Sequence, residues 1–307
     1  MSDFMIILQQ LVQFALILAV GFLAAKTKII TEPALPVLSQ MFSKVLLPVY
    51  IFVNTVESGT FQMLVDNVPI MVFSLSMYLV LILLFFLAAK LLPGDREHRN
   101  VFQSLFVFGN IGLVGIPLIQ ALYPQDGPLY IALISIVDQL FMWTYGLYLT
   151  SGETKLNPRR FLNPAVIFIL LAVAVLVLEL RLPAILMKTC RALGGAASPV
   201  CFLYMGAMIF FARPADALKH RDLYLGIAVK MIAFPLLLGM LLQCFDIPAS
   251  MAGTLVIVAA LPTMSVMPLL VPAHSKEKSY AVGAALATIL LSLVTIPLVM
   301  YLYERLL

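Results

Sequence analysis

Ten apolar stretches follow one another along this chain, each about as long as a bilayer is thick, joined by short polar connections. They lie at 4–25, 34–56, 69–92, 100–122, 127–149, 163–181, 192–211, 222–245, 249–272 and 279–303. A helix needs about 20 apolar residues to cross the hydrocarbon core. Inside lipid a backbone must satisfy its own polar groups, so such stretches fold as helices or not at all. Composition agrees: 63% of the 307 residues are hydrophobic and 11% charged, with mean hydropathy +1.06. A soluble domain is roughly 45–50% apolar and about 25% charged, because it must cover its exterior with polar groups. An all-α integral membrane protein of ten transmembrane helices is the expectation. The basic residues are scattered singly, which excludes a nucleic-acid surface.

The first stretch is not a signal peptide. Met1-Ser2-Asp3 has no basic lead, and 4–25 is long enough to span. The connections are Lys26–Glu32, Glu57–Asn67, Pro93–Arg99, Pro124–Pro128, Gly152–Arg160, Arg213–Asp222 and His274–Lys278, with 182–191 a short basic connector expected to be partly helical. Odd-numbered connections hold thirteen Lys and Arg; even-numbered ones and the C-terminus hold four, namely Arg181, Lys188, Arg191 and Arg305. Basic residues in short loops stay in the cytoplasm. Both termini are therefore expected on the extracytoplasmic side of the cell (inner) membrane.

Ten spans divide at Gly152–Arg160 into two sets of five, 1–150 and 151–307. An odd count makes two similar halves face opposite ways, the inverted repeat of secondary transporters. Pro48 and Pro199, Pro117 and Pro268, and Thr144 and Thr295 are each 151 residues apart.

The fourth span of each half is interrupted. Phe108-Gly-Asn-Ile-Gly-Leu-Val-Gly-Ile-Pro117 places three glycines, Asn110 and a proline mid-membrane. Each Gly costs about 1 kcal/mol in a helix interior and Pro about 3. Pro117 also leaves the carbonyl of Leu113 without its intrahelical partner. Leu261-Pro-Thr-Met-Ser-Val-Met-Pro268 does the same to Val258 and Met264. Such backbone persists at membrane depth only inside protein or along a wet cavity. Paired broken helices mark a transporter's midplane site, where half-helix N-termini offer N–H groups to an anion. The expected solute is anionic or polar.

Few charges lie inside the spans, where each costs about 2.5–3.5 kcal/mol on insertion scales. Asp138 sits mid-span in the fifth stretch and Lys230 two turns into the eighth. Asp138 suits proton coupling or a buried hydrogen bond; Lys230 suits snorkelling, solute contact or pairing with Asp138. Lys44 is nearer the interface and is expected to snorkel. Asn54 and Gln103 line a cavity or bond to a neighbouring helix. Ser265, Thr263, Ser292 and Thr295 are either back-bonded to their own helices or part of the second break. His98, His220 and His274 fall in loops beside basic residues, so no metal or pH-sensing role is expected of them. Cys190, Cys201 and Cys244 show no CxxC spacing. No nucleophile–base pair or phosphate loop is present, so enzyme chemistry and ATP hydrolysis are not expected.

The run Gly109-Asn110-Ile111-Gly112…Gly115-Ile116-Pro117, the stretch Asp138…Trp143-Thr144-Tyr145-Gly146 and the run Leu261-Pro262-Thr263…Ala284…Thr288…Ser292…Thr295…Pro297 resemble the auxin efflux carrier family. That family holds bacterial permeases for malate and related organic acids and the plant PIN auxin exporters. The resemblance implies two inverted five-helix repeats and a homodimer. Helices 1, 2, 6 and 7 would form a scaffold, with helices 3–5 and 8–10 moving against it. It implies that helices 4 and 9 cross at a proline-marked point where a carboxylate binds. Asn110 with the backbone of Ile111 and Gly112 would hold the carboxylate. Pro117 would mark the crossing, with Pro262 or Pro268 as its counterpart. The second break lacks a Gly-Asn pair, which makes the site asymmetric. The leading reading is an elevator-type carrier of organic anions, auxin-like or small mono- and dicarboxylates, with H+ or Na+ as a possible coupling ion and no cofactor. The alternatives are a sodium-coupled symporter of the bile-acid type and a solute-binding receptor that moves nothing. A channel is disfavoured, since no helix presents a continuous polar face.

Overall fold

The structure is a computed structural model that describes residues 3–57, 60–150, 164–211, 214–272 and 275–306. The expected division at Gly152–Arg160, together with Arg213 and His274, lies outside the described residues. Among the described residues helix is the only regular structure, apart from one isolated antiparallel bridge between Gly109 and Thr263. The helices are α1 (Asp3–Lys26), α2 (Glu32–Glu57), α3 (Val68–Leu91), α4 (Arg96–Val107) and α5 (111–122). After them come α6 (Gly127–Thr150), α7 (Pro164–Val177), α8 (Ala184–Phe211), α9 (Arg221–Leu242), α10 (Ala249–Ala260), α11 (Met267–Leu270) and α12 (Lys278–Leu306).

Among the described residues, six helices are long and apolar enough to cross a membrane: α2, α3, α6, α8, α9 and α12. Shorter apolar helices fill Val12–Lys26, α7 and α10. The outer faces are apolar, with Leu16, Val20, Leu83, Leu87, Leu237 and Val294 all exposed. Water would not tolerate that much contiguous apolar surface, whereas lipid does. The chain is a multi-pass membrane protein. The connector at 182–191, expected to be partly helical, is mostly helix. α8 begins at Ala184, so Lys188 and Arg191 sit on its first turns, and Arg191 pairs with Glu57 at the end of α2.

Two sets of contacts organise the bundle. α1 lies along α8, and α2 packs on α7 and α8. The α1–α8 contact is as close as backbones allow. A Cβ on Gly21 would meet the Leu203 carbonyl oxygen at 2.2 Å, and one on Gly206 the Leu18 carbonyl oxygen at 2.0 Å. Small residues at such crossings let helices associate by packing alone in lipid. Phe14 stacks on Phe202 at 4.5 Å beside this contact. In the other set α3 packs on α4 and α6, and α9 on α10 and α12, while α4 also meets α9 and α12.

Three prolines inside the helices sit behind a widened turn. The π turns at Phe42–Leu46, Ile111–Gly115 and Val229–Ala233 each end two residues before a proline: Pro48, Pro117 and Pro235. A proline ring collides with the carbonyl four residues back and offers it no N–H. Widening the preceding turn relieves both problems. The i→i−5 bonds Leu47 N–H to Phe42 O, Ile116 N–H to Ile111 O and Phe234 N–H to Val229 O carry that widening.

Candidate functional site

Helix α4 stops at Val107, Phe108 is extended, Gly109 forms a bridge, and Asn110 (φ −80, ψ 63) turns the chain into α5. Helix α10 stops at Ala260, and 261–266 are irregular before α11. The two breaks bond to each other. Asn110 N–H donates to Pro262 O at 2.9 Å and Met264 N–H to Phe108 O at 3.2 Å, flanking the Gly109–Thr263 bridge. Backbone freed from each helix is thus satisfied by the other, as burial demands. Gly109 makes the approach possible, since a Cβ there would lie 3.0 Å from Leu261 Cβ and 3.3 Å from Val258 O.

Side chains tie the crossing further. Asn110 Nδ2 donates to Ser265 Oγ at 2.6 Å, and Thr263 N–H donates to Thr288 Oγ1 on α12 at 3.2 Å. The hydroxyls of Thr263 and Thr295 are buried without a partner among the described residues. Pro117 does not mark the break. It follows it within α5, and its local effect is the π turn. Of the two proline candidates in the second half, Pro262 lies in the break, and Pro268 is the second residue of α11. The structure therefore brings Asn110, Ile111, Gly112, Pro262, Thr263 and Ser265 to one place, with Pro117 and Pro268 about a turn away. Asn54 lies across a cavity from them.

That cavity, about 230 Å³, is bounded by Tyr50 and Asn54 of α2, Gly112 and Gln120 of α5, and Ser135 and Gln139 of α6. Tyr50 Oη donates to Gly112 O at 2.6 Å, linking α2 to the crossing. Asn54 Nδ2 is spent on the Tyr50 carbonyl at 3.0 Å. The first amides of α5 have no helical partner behind them. Ile111 N–H turns back to Gly109 O at 2.9 Å.

Asp138 is fully buried one residue from the cavity wall. Its carboxylate accepts from Tyr78 Oη at 2.7 Å and from Gln139 Nε2 at 3.2 Å, and Trp143 Nε1 donates to Gln139 Oε1 at 2.8 Å. Lys230 is buried too. Lys230 does not snorkel, because its π turn faces protein. Lys44 is exposed as expected. Gln103 bonds to Ile82 O and Tyr145 Oη, joining neighbouring helices.

A second cavity of about 730 Å³ lies at the opposite end of α2. Glu32, Ser39, Tyr204, Leu269 and Lys278 bound it. Lys278 donates to Val271 O at 2.9 Å and also to Pro268 O, the carbonyls that end α11. A cation at a helix C-terminus offsets its dipole.

His98 departs from expectation. It is not in a loop but on the first turn of α4, buried between Glu277 (Nδ1–Oε2 2.7 Å) and Asp222 (Nε2–Oδ2 3.1 Å). These two carboxylates, Asp222 foremost, push its pKa up to about 9. Asp95 caps α4 by accepting the His98 N–H at 3.0 Å. That bond and Lys276 hold the Asp95 carboxyl below its ordinary range.

Two broken helices that cross inside an apolar bundle, with a cavity toward each end, define a membrane transport protein rather than an enzyme. A family model described as "Membrane transport protein" matches residues 6–158 and 153–300. The chain belongs to this family, the auxin efflux carrier family of membrane transporters. No curated protein matches it.

Proposed function

We propose that this transporter carries organic anions, auxin-like compounds or small mono- and dicarboxylates, across the cell membrane by an elevator-type movement. The observation that carries the reading is the hydrogen-bonded crossing of the two breaks, with the 230 Å³ cavity touching Gly112 and the 730 Å³ cavity touching Leu269. In this reading the solute carboxylate sits at the N-terminal end of α5, near Asn110, Ile111 and Gly112, with Pro262, Thr263 and Ser265 opposite. An N-terminal helix end favours negative charge, and the carboxylate needs only backbone N–H groups and neutral donors.

The ten crossings are α1, α2, α3, α4–α5, α6, α7, α8, α9, α10–α11 and α12, arranged as two inverted sets of five. The two stretches of the family match, which meet at 153–158, support the division. α1, α2, α7 and α8 form the scaffold, consistent with their mutual packing, and the other helices move. Both termini face outward, the second cavity opens to the cytoplasm, and the protein works as a homodimer. Asp138, linked to the cavity through Gln139, is the coupling group for protons. Sodium is the second reading, and the unpartnered hydroxyls of Thr263 and Thr295 favour it.

A thermal-shift screen of purified protein against mono- and dicarboxylates, including malate and indole-3-acetate, tests the solute class. Stabilisation by carboxylates that Asn110→Ala abolishes supports it. Stabilisation that Asn110→Ala leaves intact removes the crossing as the site.

A further inference from the structure

Three helix starts converge at the end of the molecule where α2 begins, well away from the crossing. Asp95 and the turn at Gly94, whose φ of 123 only glycine adopts readily, deliver His98 on α4. His220 and Asp222 open α9, and Glu277 and Tyr280 flank the start of α12. His98 Nε2 lies 3.1 Å from Asp222 Oδ2, and His220 Nδ1 lies 3.8 Å from Asp222 Oδ1. The two imidazoles stack with centroids 5.3 Å apart.

We propose that His98, His220 and Asp222 form a binding site for a divalent transition metal of the zinc class. The site is independent of the carrier reading. One ligand atom from each residue lies within 4.8 Å of the others. Metal–ligand bonds of about 2.0–2.2 Å in a tetrahedron put ligand atoms roughly 3.3 Å apart; His98 Nε2 is 3.1 Å from Asp222 Oδ2, and His220 Nδ1 is 3.8 Å from the other oxygen, Oδ1, so a modest closing of the exposed His220 completes the set. Two imidazoles and a carboxylate suit zinc, copper or nickel. Calcium and magnesium prefer an all-oxygen shell.

The surroundings have the form of an outer shell. Glu277 Oε2 accepts from His98 Nδ1 at 2.7 Å, which leaves Nε2 as the ligating atom, and Tyr280 Oη donates to Asp222 Oδ2 at 2.6 Å. A carboxylate behind a ligating histidine fixes its tautomer and raises its basicity. Charge favours a dication as well. An imidazolium at His98 balances only one of the two carboxylates, whereas a divalent ion between neutral imidazoles balances both. Lys276 and Lys219, the nearby ammonium groups, are engaged with Asp95 and Asp216. A cavity of about 670 Å³ bounded by Gly94, His98, His220 and Asp222 gives access. His220, the exposed member, closes on the ion by side-chain rotation, and water completes the shell. The metal would join α4 in the first half of the chain to α9 in the second. It displaces the proton on His98, so apparent affinity falls as pH drops.

The test is titration of the full-length, chelator-stripped protein in detergent with Zn²⁺ by calorimetry and with Co²⁺ by visible absorbance, at about pH 8 to favour the deprotonated ligands. One ion per chain and a tetrahedral cobalt band are expected. His220→Ala should weaken binding at least about tenfold, and Glu277→Gln roughly 10–100-fold as for other outer-shell partners. His220→Ala, altered at an exposed position, should melt like wild type in chelator, which separates ligand loss from misfolding. Unsaturable binding, or affinities unchanged in His220→Ala and Glu277→Gln, would overturn the site and leave His98 as an ion-pair member only.

Discussion

The two breaks cross as partners but are built differently. The first is three residues long and opens into the twelve-residue α5. The second is six residues long and opens into the four-residue α11. The first contributes an amide, Asn110, that reaches across to Ser265. The second contributes the Ser265 hydroxyl that accepts this bond and a Thr263 hydroxyl without a partner among the described residues, while the Thr263 N–H donates to Thr288 Oγ1 on α12. Only the first presents a helix long enough to carry a useful dipole. On the proposed function, substrate recognition would belong mainly to the first break, and the second would chiefly hold it in place.

Substitutions at the breaks can separate these roles. The largest effect is expected from Asn110→Ala. It strands the buried Ser265 hydroxyl, at about 1–3 kcal/mol, and removes the donor nearest the proposed carboxylate. Transport should fall by roughly 10–100-fold, while Ser265→Ala should lose far less. Equal losses in liposome uptake would erase the distinction between the breaks. Gly109→Val comes next. Its side chain would be driven into Leu261, and overpacking of this kind costs about 1–3 kcal/mol. A melting temperature equal to wild type would show that the crossing is looser than described. Asp138→Asn keeps the Tyr78 bond but removes the charge, and it should flatten the pH dependence of transport. A pH profile identical to wild type would make Asp138 structural. Tyr50→Phe removes one hydrogen bond between α2 and Gly112, worth about 0.5–1.5 kcal/mol. It should change the transport rate more than the melting temperature. The smallest effect is expected from Thr263→Val, which deletes an unpartnered hydroxyl at nearly constant volume. Stability should hold or rise slightly. A marked loss would mean that the hydroxyl has a partner, such as a coupling cation.

Much of this architecture was legible because lipid imposes a simple rule. Apolar runs of spanning length become helices, and Gly109–Pro117 and Leu261–Pro268 stood out because nothing else in the chain concentrates glycine and proline at mid-span. The first break falls at the start of the interrupted run Phe108–Pro117. Pro117 looked like its marker, but a proline can be absorbed by a π turn, as at Pro48 and Pro235, while Gly109 and Asn110 sit at the actual discontinuity. Tyr50 and Tyr78 were invisible for another reason. A tyrosine in an apolar helix reads as hydrophobic until its hydroxyl is seen to meet Gly112 or Asp138. His98 was missed because its partners, Asp222 and Glu277, are 124 and 179 residues away along the chain. Adjacent-loop reasoning cannot see them.

The central claim is that a carboxylate passes through the crossing. Counterflow in liposomes tests it most directly, with protein reconstituted around an unlabelled carboxylate found by the binding screen and supplied with the labelled compound outside. Saturable counterflow that Asn110→Ala abolishes and Ser265→Ala only reduces is the predicted result. Carboxylate binding without counterflow would contradict the claim and make the protein a receptor.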